Sequence, residues 1–191
     1  MRLGRHTYYK SKHNNCRGVT LVELLVTLSI MAILSAIAIP SFSSMVQDFA
    51  ISGQVNSMNA DVRYARSEAM KRGINVVLCP SADPLATTPT CSGTSWRTGW
   101  IIFVDNNNNA ASDAGELLLR RQESLSDKSG GITATQNSIS LTRDGRLPAT
   151  NATASVVVTF LSTGSGSSQQ SKFLCISTNG RPKAVKKASE C

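Results

Sequence analysis

The sequence predicts an α+β fold, one long N-terminal helix packed on a mostly antiparallel β-sheet, and three observations carry that reading. Residues 19–39 form an apolar run with a single charge, Glu23. A helical stripe of apolar residues follows it, and after Gly73 the pattern changes to short β-rich runs between turn residues. A helix with one apolar stripe and a sheet with one apolar face bury each other, which gives the two layers.

The apolar run is long enough to cross a bilayer as a helix at ~1.5 Å rise per residue. A carboxylate at the centre of such a helix costs roughly 2.5–3.5 kcal/mol, and less near an end, where Glu23 lies. A residue tolerated at that cost is a functional candidate. Arg2, Arg5, Lys10, Lys12 and Arg17 precede the run without an acidic residue among them. The positive-inside rule then puts this leader in the cytoplasm and the bulk of the chain outside. Two plainer readings compete. A secretory signal has a shorter apolar core and would not hold Glu23. A simple membrane anchor explains the hydrophobicity without explaining why Gly18 and Glu23 flank Val-Thr-Leu-Val.

Beyond Pro40, the residues Val55, Met58, Val62, Ala65 and Ala69 recur at steps of three and four. This is one face of a helix that continues the membrane segment outward over 41–73 and ends near Gly73. Arg63, Arg66, Lys71 and Arg72 fall on its other sides and read as a solvated face. Pro40 lacks an N–H and would free the carbonyl of Ala36, so a kink is expected there.

In the remainder, 74–191, strands are predicted at Ile74 to Leu78, Trp100 to Val104, Glu116 to Arg121, Ser138 to Thr142, Ser155 to Leu161 and Lys172 to Ser177. Asp144-Gly145 is a hairpin turn dipeptide. Gly164-Ser165-Gly166-Ser167-Ser168 has too few apolar atoms to pack and reads as a flexible connection.

The 191 residues leave room for one modest domain on a long helix. Formal net charge is +8, but five of the cations are in the leader, so the rest of the chain is mildly basic. That surplus gathers at the end, in Lys172, Arg181, Lys183, Lys186 and Lys187 against Glu190. Cys16 belongs to the leader; Cys79, Cys91, Cys175 and Cys191 form an even set suited to an oxidising compartment. Of the three connectivities available, the short loops Cys79 with Cys91 and Cys175 with Cys191 are favoured, each bracketing one turn-rich segment. Loops of this size would each stabilise the fold by about 3 kcal/mol. A zinc site is the alternative, but the spacing has no C-x-x-C pair and no partner histidine.

Both histidines, His6 and His13, are in the leader, so the commonest general base is missing from the rest of the chain. Neither a nucleotide loop nor a G-x-S-x-G elbow is present, which argues against an enzyme and implies no cofactor. The loop Asp105-Asn106-Asn107-Asn108-Asn109, with Asp113 and Glu116, offers oxygen ligands at calcium-loop spacing. It puts Ala110 where such a loop needs glycine. A hairpin loop using asparagine for turn geometry is the better reading, and no metal is assigned.

Asn179-Gly180 is a second turn dipeptide, after which Arg181, Lys183, Lys186 and Lys187 fall close together ahead of Cys191. A basic loop tied back through Cys175 would be a preordered phosphate binder. No aromatic residue follows Phe173, so base stacking from the tail is not expected and duplex should bind at least as well as single strands. A basic tail that only solvates the chain, or touches anionic membrane, is the plainer alternative.

Taken together, Gly18-Val-Thr-Leu-Val-Glu23 behind a basic leader resembles the prepilin signal of type IV pilins and pseudopilins. That resemblance implies cleavage after Gly18 by a prepilin peptidase and methylation of the new terminus at Val19, where the family usually has phenylalanine. It also implies removal of residues 1–18 and pairing of Glu23 with a neighbouring subunit's amino terminus, which suits a charge in an apolar bundle. Pro40 matches the family's helix proline.

Ala65-Arg66-Ser67-Glu68-Ala69, Leu78-Cys79-Pro80-Ser81, and Gly99-Trp100-Ile101-Ile102-Phe103-Val104-Asp105 followed by Gly115-Glu116 narrow the resemblance to the GspH/FimT family. These are minor pilins of type IV pili and minor pseudopilins of type II secretion. The resemblance implies the type IV pilin-like fold, anchoring in the inner membrane with the C-terminal part in the periplasm, and later residence in a pilus or pseudopilus. The implied partners are other pilins and the inner-membrane assembly platform. Gly180-Arg181-Pro182-Lys183 resembles the Gly-Arg-x-Arg tail motif of FimT-type pilins, which implies binding of DNA for natural transformation, with Lys183 in place of the last arginine. A role in the tip of a type II secretion pseudopilus remains the alternative.

Overall fold

The computed structural model describes residues 18–125, 129–149, 155–162 and 171–191, of which 38–41, 43, 44, 129 and 162 are described by backbone alone. The chain divides into two compact units, Met1–Ser41 and Phe42–Cys191, and helix α1, Leu21–Arg72, contributes a segment to each. The leader cations, Cys16, both histidines and the segment 163–170 with its Gly-Ser run lie outside the described residues.

In the first unit, Thr20 caps the helix. Its hydroxyl accepts from the Glu23 N–H at 3.2 Å and its carbonyl from the Leu24 N–H at 3.1 Å. Thr20 and Glu23 have the spacing of a capping box, and a negative side chain in the first turn suits the helix dipole. Glu23 thus has a local part in starting the helix that the reading of the apolar run overlooked. From Leu21 to Ile37 the large apolar side chains are exposed. Thr27, Ser29 and Ser35 donate their hydroxyls back to the carbonyls of Leu24, Leu25 and Met31, so these polar groups are satisfied within the helix. Among the described residues no helix is long and apolar enough to cross a membrane. Pro40 is inside α1 by backbone assignment, and the kink expected of it falls outside what is described.

In the second unit, the predicted stripe is buried, with Ile51 extending it by a turn ahead of Val55, Met58, Val62, Ala65 and Ala69. The helix stops where Gly73 donates its N–H to Ala69 at 2.9 Å, after Lys71 and Arg72 have placed positive charge on its last turn. Among the described residues eight strands follow: β1 (Asn75–Pro80), β2 (Trp100–Asp105), β3 (Leu118–Gln122), β4 (Ser129–Ala134), β5 (Ile139–Leu141), β6 (Val156–Ser162), β7 (Ser171–Ile176) and β8 (Pro182–Val185). The six expected strands are all found, displaced by at most two residues at either end.

Two strands went unpredicted, and the sheet is in fact two sheets of four strands, ordered β3-β2-β1-β5 and β4-β6-β7-β8. Every pairing is antiparallel. The missed β4 begins Ser-Gly-Gly, which reads as a turn, and its ladder with β6 shifts register between Ser129 and Ile132. The missed β8 opens on a proline and carries Lys183, both features of a sheet edge.

The core joins the helix stripe to the inner faces of both sheets. Val76, Leu78, Trp100 and Ile102 from the first sheet meet Val156, Val158, Phe160, Leu174 and Ile176 from the second. The alternate residues Val77, Cys79, Ile101 and Phe103 form a separate cluster on the far face of the first sheet. That sheet is therefore buried on both sides. Disulfide Cys79–Cys91 ties the covering segment down, and Cys91 itself packs on this cluster.

The charged sides of the helix are not all solvated, contrary to expectation. Asp61, 3 % exposed, accepts from the Trp100 indole at 2.8 Å and from Arg120 at 2.7 Å, while the Arg120 guanidinium stacks over Tyr64. Arg72 bonds Glu68 at 2.6 Å, and Arg66 donates to the Gly145 carbonyl at 2.9 Å. Lys172 on β7 pairs with Asp48 at 2.7 Å, so among the described residues each sheet is tied to the helix by one ion pair.

Candidate nucleic-acid interface

The tail is built on β7 and β8. Register pairs Ile176 with Pro182, Cys175 with Lys183, Leu174 with Ala184 and Phe173 with Val185. The expected basic loop is therefore corrected: part of it is an edge strand, followed by a one-turn 3-10 helix, Ala188–Glu190. The physical reason is Val185 and Pro182, which are buried against the sheet while Lys183 and Ala184 stay exposed. Disulfide Cys175–Cys191, with Cα atoms 5.5 Å apart, returns the chain end to β7.

The cations sit as follows. Arg181 leaves the turn just before β8, Lys183 projects from the strand, and Lys186 and Lys187 are exposed between the strand and the final helical turn. Arg181 and Lys183 line an open concavity of about 540 Å³ that also holds Glu190 and Cys191. Ion pairs among the described residues use Lys71 and Arg72 with Glu68, Arg120 with Asp61, and Lys172 with Asp48; the four tail cations take part in none. Gly180 itself is buried and forms the turn rather than the surface. A held strand with unpaired cations is a better phosphate binder than a loose tail, because less ordering entropy is lost on binding.

The turn at Asp144-Gly145 forms as expected, but the chain leaving it does not return along β5. Instead Leu147 donates its N–H to Thr178 at 3.0 Å, bringing residues 142–147 against the tail turn. Arg143 and Arg146 are exposed there. Sequence reasoning passed over both because they stand alone in a short turn, not in a cluster.

The Asn-rich segment is a connection between β2 and β3 whose carboxylates are occupied by N–H donors. Asp105 accepts from the backbone of Asn108, Asn109 and Ala110 at 2.7, 3.2 and 3.0 Å. Glu116 accepts from Asn106 and Asp113 N–H. The Asp113 carboxylate takes amide donors from Asn107 and Asn109 at 2.8 and 2.7 Å, and these bonds hold its pKa below the ordinary value. Among the described residues no group of three or more His, Cys, Asp or Glu could hold a metal ion.

Comparison with known proteins fits the helix-and-sheet fold. Residues 54–180 match the family model described as type II transport protein GspH, and residues 13–39 match the prokaryotic N-terminal methylation motif. The pilin-like protein PilA1 of Thermus thermophilus is 33% identical over 100 residues, which cover 52% of this chain and 55% of that protein, so the chain spans about half the length of the curated relative. The fold resembles crystal structures of the type IV minor pilin FimU of Pseudomonas aeruginosa. One superposes with a TM-score of 0.54 at 15% identity, covering 77% of this chain and 95% of that one. Another gives 0.51 at 18% identity, covering 70% and 91%. With an N-terminal methylation motif ahead of a helix-and-sheet unit matched over most of its length, the chain belongs to the GspH/FimT family of minor pilins and pseudopilins, built on the type IV pilin fold.

Proposed function

We propose that this minor pilin is a DNA-capturing subunit of a type IV pilus that serves natural transformation. The observation that carries the reading is the tail: Arg181, Lys183, Lys186 and Lys187 are exposed and unpaired on an edge strand and turn held by Cys175–Cys191. Four cations on four phosphates give a log–log salt slope of about −3 to −4 on duplex DNA, with little sequence preference.

The route to the filament starts at the other end. Cleavage between Gly18 and Val19 frees an amino terminus, and the apolar helix to Pro40 holds the subunit in the inner membrane with residues 42–191 in the periplasm. Glu23 pairs with a neighbour's terminus as helices bundle, since a buried carboxylate is tolerated when an opposite charge meets it. The exposed apolar side chains from Leu21 to Ile37 support that packing. This role needs no catalytic centre, and the family is one of structural subunits.

The second reading is a minor pseudopilin at the tip of a type II secretion pseudopilus, favoured by the description of the matching family. Anisotropy of a short labelled duplex separates the two. Salt-sensitive binding by the oxidised protein, lost on replacing Arg181, Lys183, Lys186 and Lys187 by alanine, is the expected result. Absence of binding at low salt would shift the assignment to the secretion system.

A further inference from the structure

The turn at the end of β5 and the turn before β8 are two copies of one device. Thr142-Arg143-Asp144-Gly145-Arg146 and Ser177-Thr178-Asn179-Gly180-Arg181 share a pattern: hydroxyl residue, variable residue, Asp or Asn, glycine, arginine. Their hydrogen bonds match. Gly145 donates its N–H to Thr142 at 2.6 Å, as Gly180 does to Ser177 at 2.7 Å. Thr142 donates its N–H to the Arg146 carbonyl at 2.8 Å, as Ser177 does to Arg181 at 3.1 Å. In both, the hydroxyl also donates to that arginine carbonyl, at 3.1 and 3.3 Å. The glycines have φ of +70° and +68°, the left-handed conformation that closes a tight turn with a bulge.

These copies touch. A Cβ on Gly180 would collide with the Gly145 carbonyl oxygen, so only glycine lets the two backbones meet. The same carbonyl accepts from Arg66, and a Cβ on Gly145 would come within 2.9 Å of Met70 Sδ, so the first turn is clasped between the helix and the second turn. Each turn therefore delivers an arginine immediately after its contact glycine, from neighbouring backbones, although the two are 35 positions apart in the chain. Both side chains are exposed, and neither takes part in an ion pair with a described residue. Asp144 is exposed beside Arg146, with Arg143 to offset it; Glu190 shares the concavity with Arg181.

We propose that Arg146 and Arg181 form a two-pronged phosphodiester site, so that the DNA-contacting surface extends from the tail across the β5 turn. A guanidinium presents a planar fork that meets a phosphate through two hydrogen bonds, whereas Lys183 offers only a point charge. The second fork comes from Arg146. Rigid turns packed glycine on glycine fix where both side chains leave the backbone, which limits the entropy lost when they engage. The site rests on the DNA-binding reading and enlarges it with a residue outside the tail.

The test is duplex binding by the full-length, oxidised chain in detergent micelles over a salt series. It compares Arg146→Gln, Arg181→Gln, Arg146→Lys and Arg121→Gln, the last a control on β3 at the opposite edge of the first sheet from β5. Each of the first two should lower the magnitude of the salt slope by about 0.9 and weaken binding about tenfold at about 50 mM salt, since one fewer counterion is released. Arg146→Lys should keep the slope and lose affinity, and Arg121→Gln should change neither. An Arg146→Gln slope equal to that of the unaltered protein, beside a reduced one for Arg181→Gln, overturns the two-pronged site and leaves the tail reading standing. Failure of the unaltered protein to bind duplex overturns both.

Discussion

The two sheets share a size, an all-antiparallel ladder, a disulfide and an ion pair to the helix, yet they use these parts to opposite ends. In the first sheet both faces of β1 and β2 are buried, and Cys79–Cys91 clamps a cover over the outer one. The second sheet leaves its last strand as a charged edge, and Cys175–Cys191 pins the chain end beside it. The lesson is that a disulfide's worth depends on what unfolds with it. Closing a loop of either size restrains the unfolded chain by about 3 kcal/mol. Only the first bond is built into a buried cluster, so its loss exposes apolar surface, whereas β8 can fray while the rest stays folded.

Replacing the cysteine pairs tests that contrast with the largest expected effect. Cys79→Ser with Cys91→Ser should cost about 3 kcal/mol or more in global stability, read by denaturant titration. Cys175→Ser with Cys191→Ser should move the global transition by about 1 kcal/mol or less while speeding amide exchange in β8 and weakening DNA binding. Equal global losses would erase the distinction between clamp and tether.

The ion pairs sharpen it at smaller scale. Asp61 holds the first sheet to the helix and satisfies the indole of Trp100, which is fully buried. Asp61→Ala orphans that N–H, and a loss of about 2–3 kcal/mol is expected. Asp48, paired with Lys172 on the second sheet, is more exposed, and Asp48→Ala should cost about 1 kcal/mol or less. Thermal unfolding of the two variants side by side measures the difference; a comparable loss for both would mean the second tie is more desolvated than its exposure indicates.

The same asymmetry decided what the sequence made legible. The first sheet could be read because Val-Val-Leu and Ile-Ile-Phe-Val runs are bounded by turn residues, and burial on two faces keeps them apolar without interruption. In the second, β6 and β7 were legible from their Val-Val-Val and Phe-Leu-Cys-Ile runs, although β6 buries only alternate residues, while the edges β4 and β8 were not. An edge strand is shaped by what it must avoid, so Gly-Gly in β4 and Pro-Lys in β8 look like turn and tail. The helix stripe was legible from its spacing, but Asp61 was not, since nothing in a sequence marks which acidic residue will find an indole across the core. The tail cations were legible from density. Arg146 was not, and the signal that could have revealed it is the repeat of hydroxyl, Asx, glycine and arginine at the start and end of two distant turns.

The loops beside the two sheets differ in how they are held, and this yields the smallest effect. The β2–β3 connection depends on carboxylates: Asp113, fully exposed, is ionised and bonded by Asn107 and Asn109, with a pKa below its ordinary 3.8. A depressed value means that the stabilising contribution is complete above the ordinary pKa and lost as pH falls through the lower, folded one. The side-chain amide resonances of Asn107 and Asn109 should therefore hold their positions through mild acid and move only below pH 3.8, together with the Asp113 carboxyl. The tail, held by a covalent bond, should not respond over that range, while replacing Cys175 and Cys191 by serine, which leaves Cys79–Cys91 intact, should loosen the tail and spare the Asp113 loop. Movement of both loops under the same condition would show that they are coupled, and that the two ends of the domain are not held by separate means.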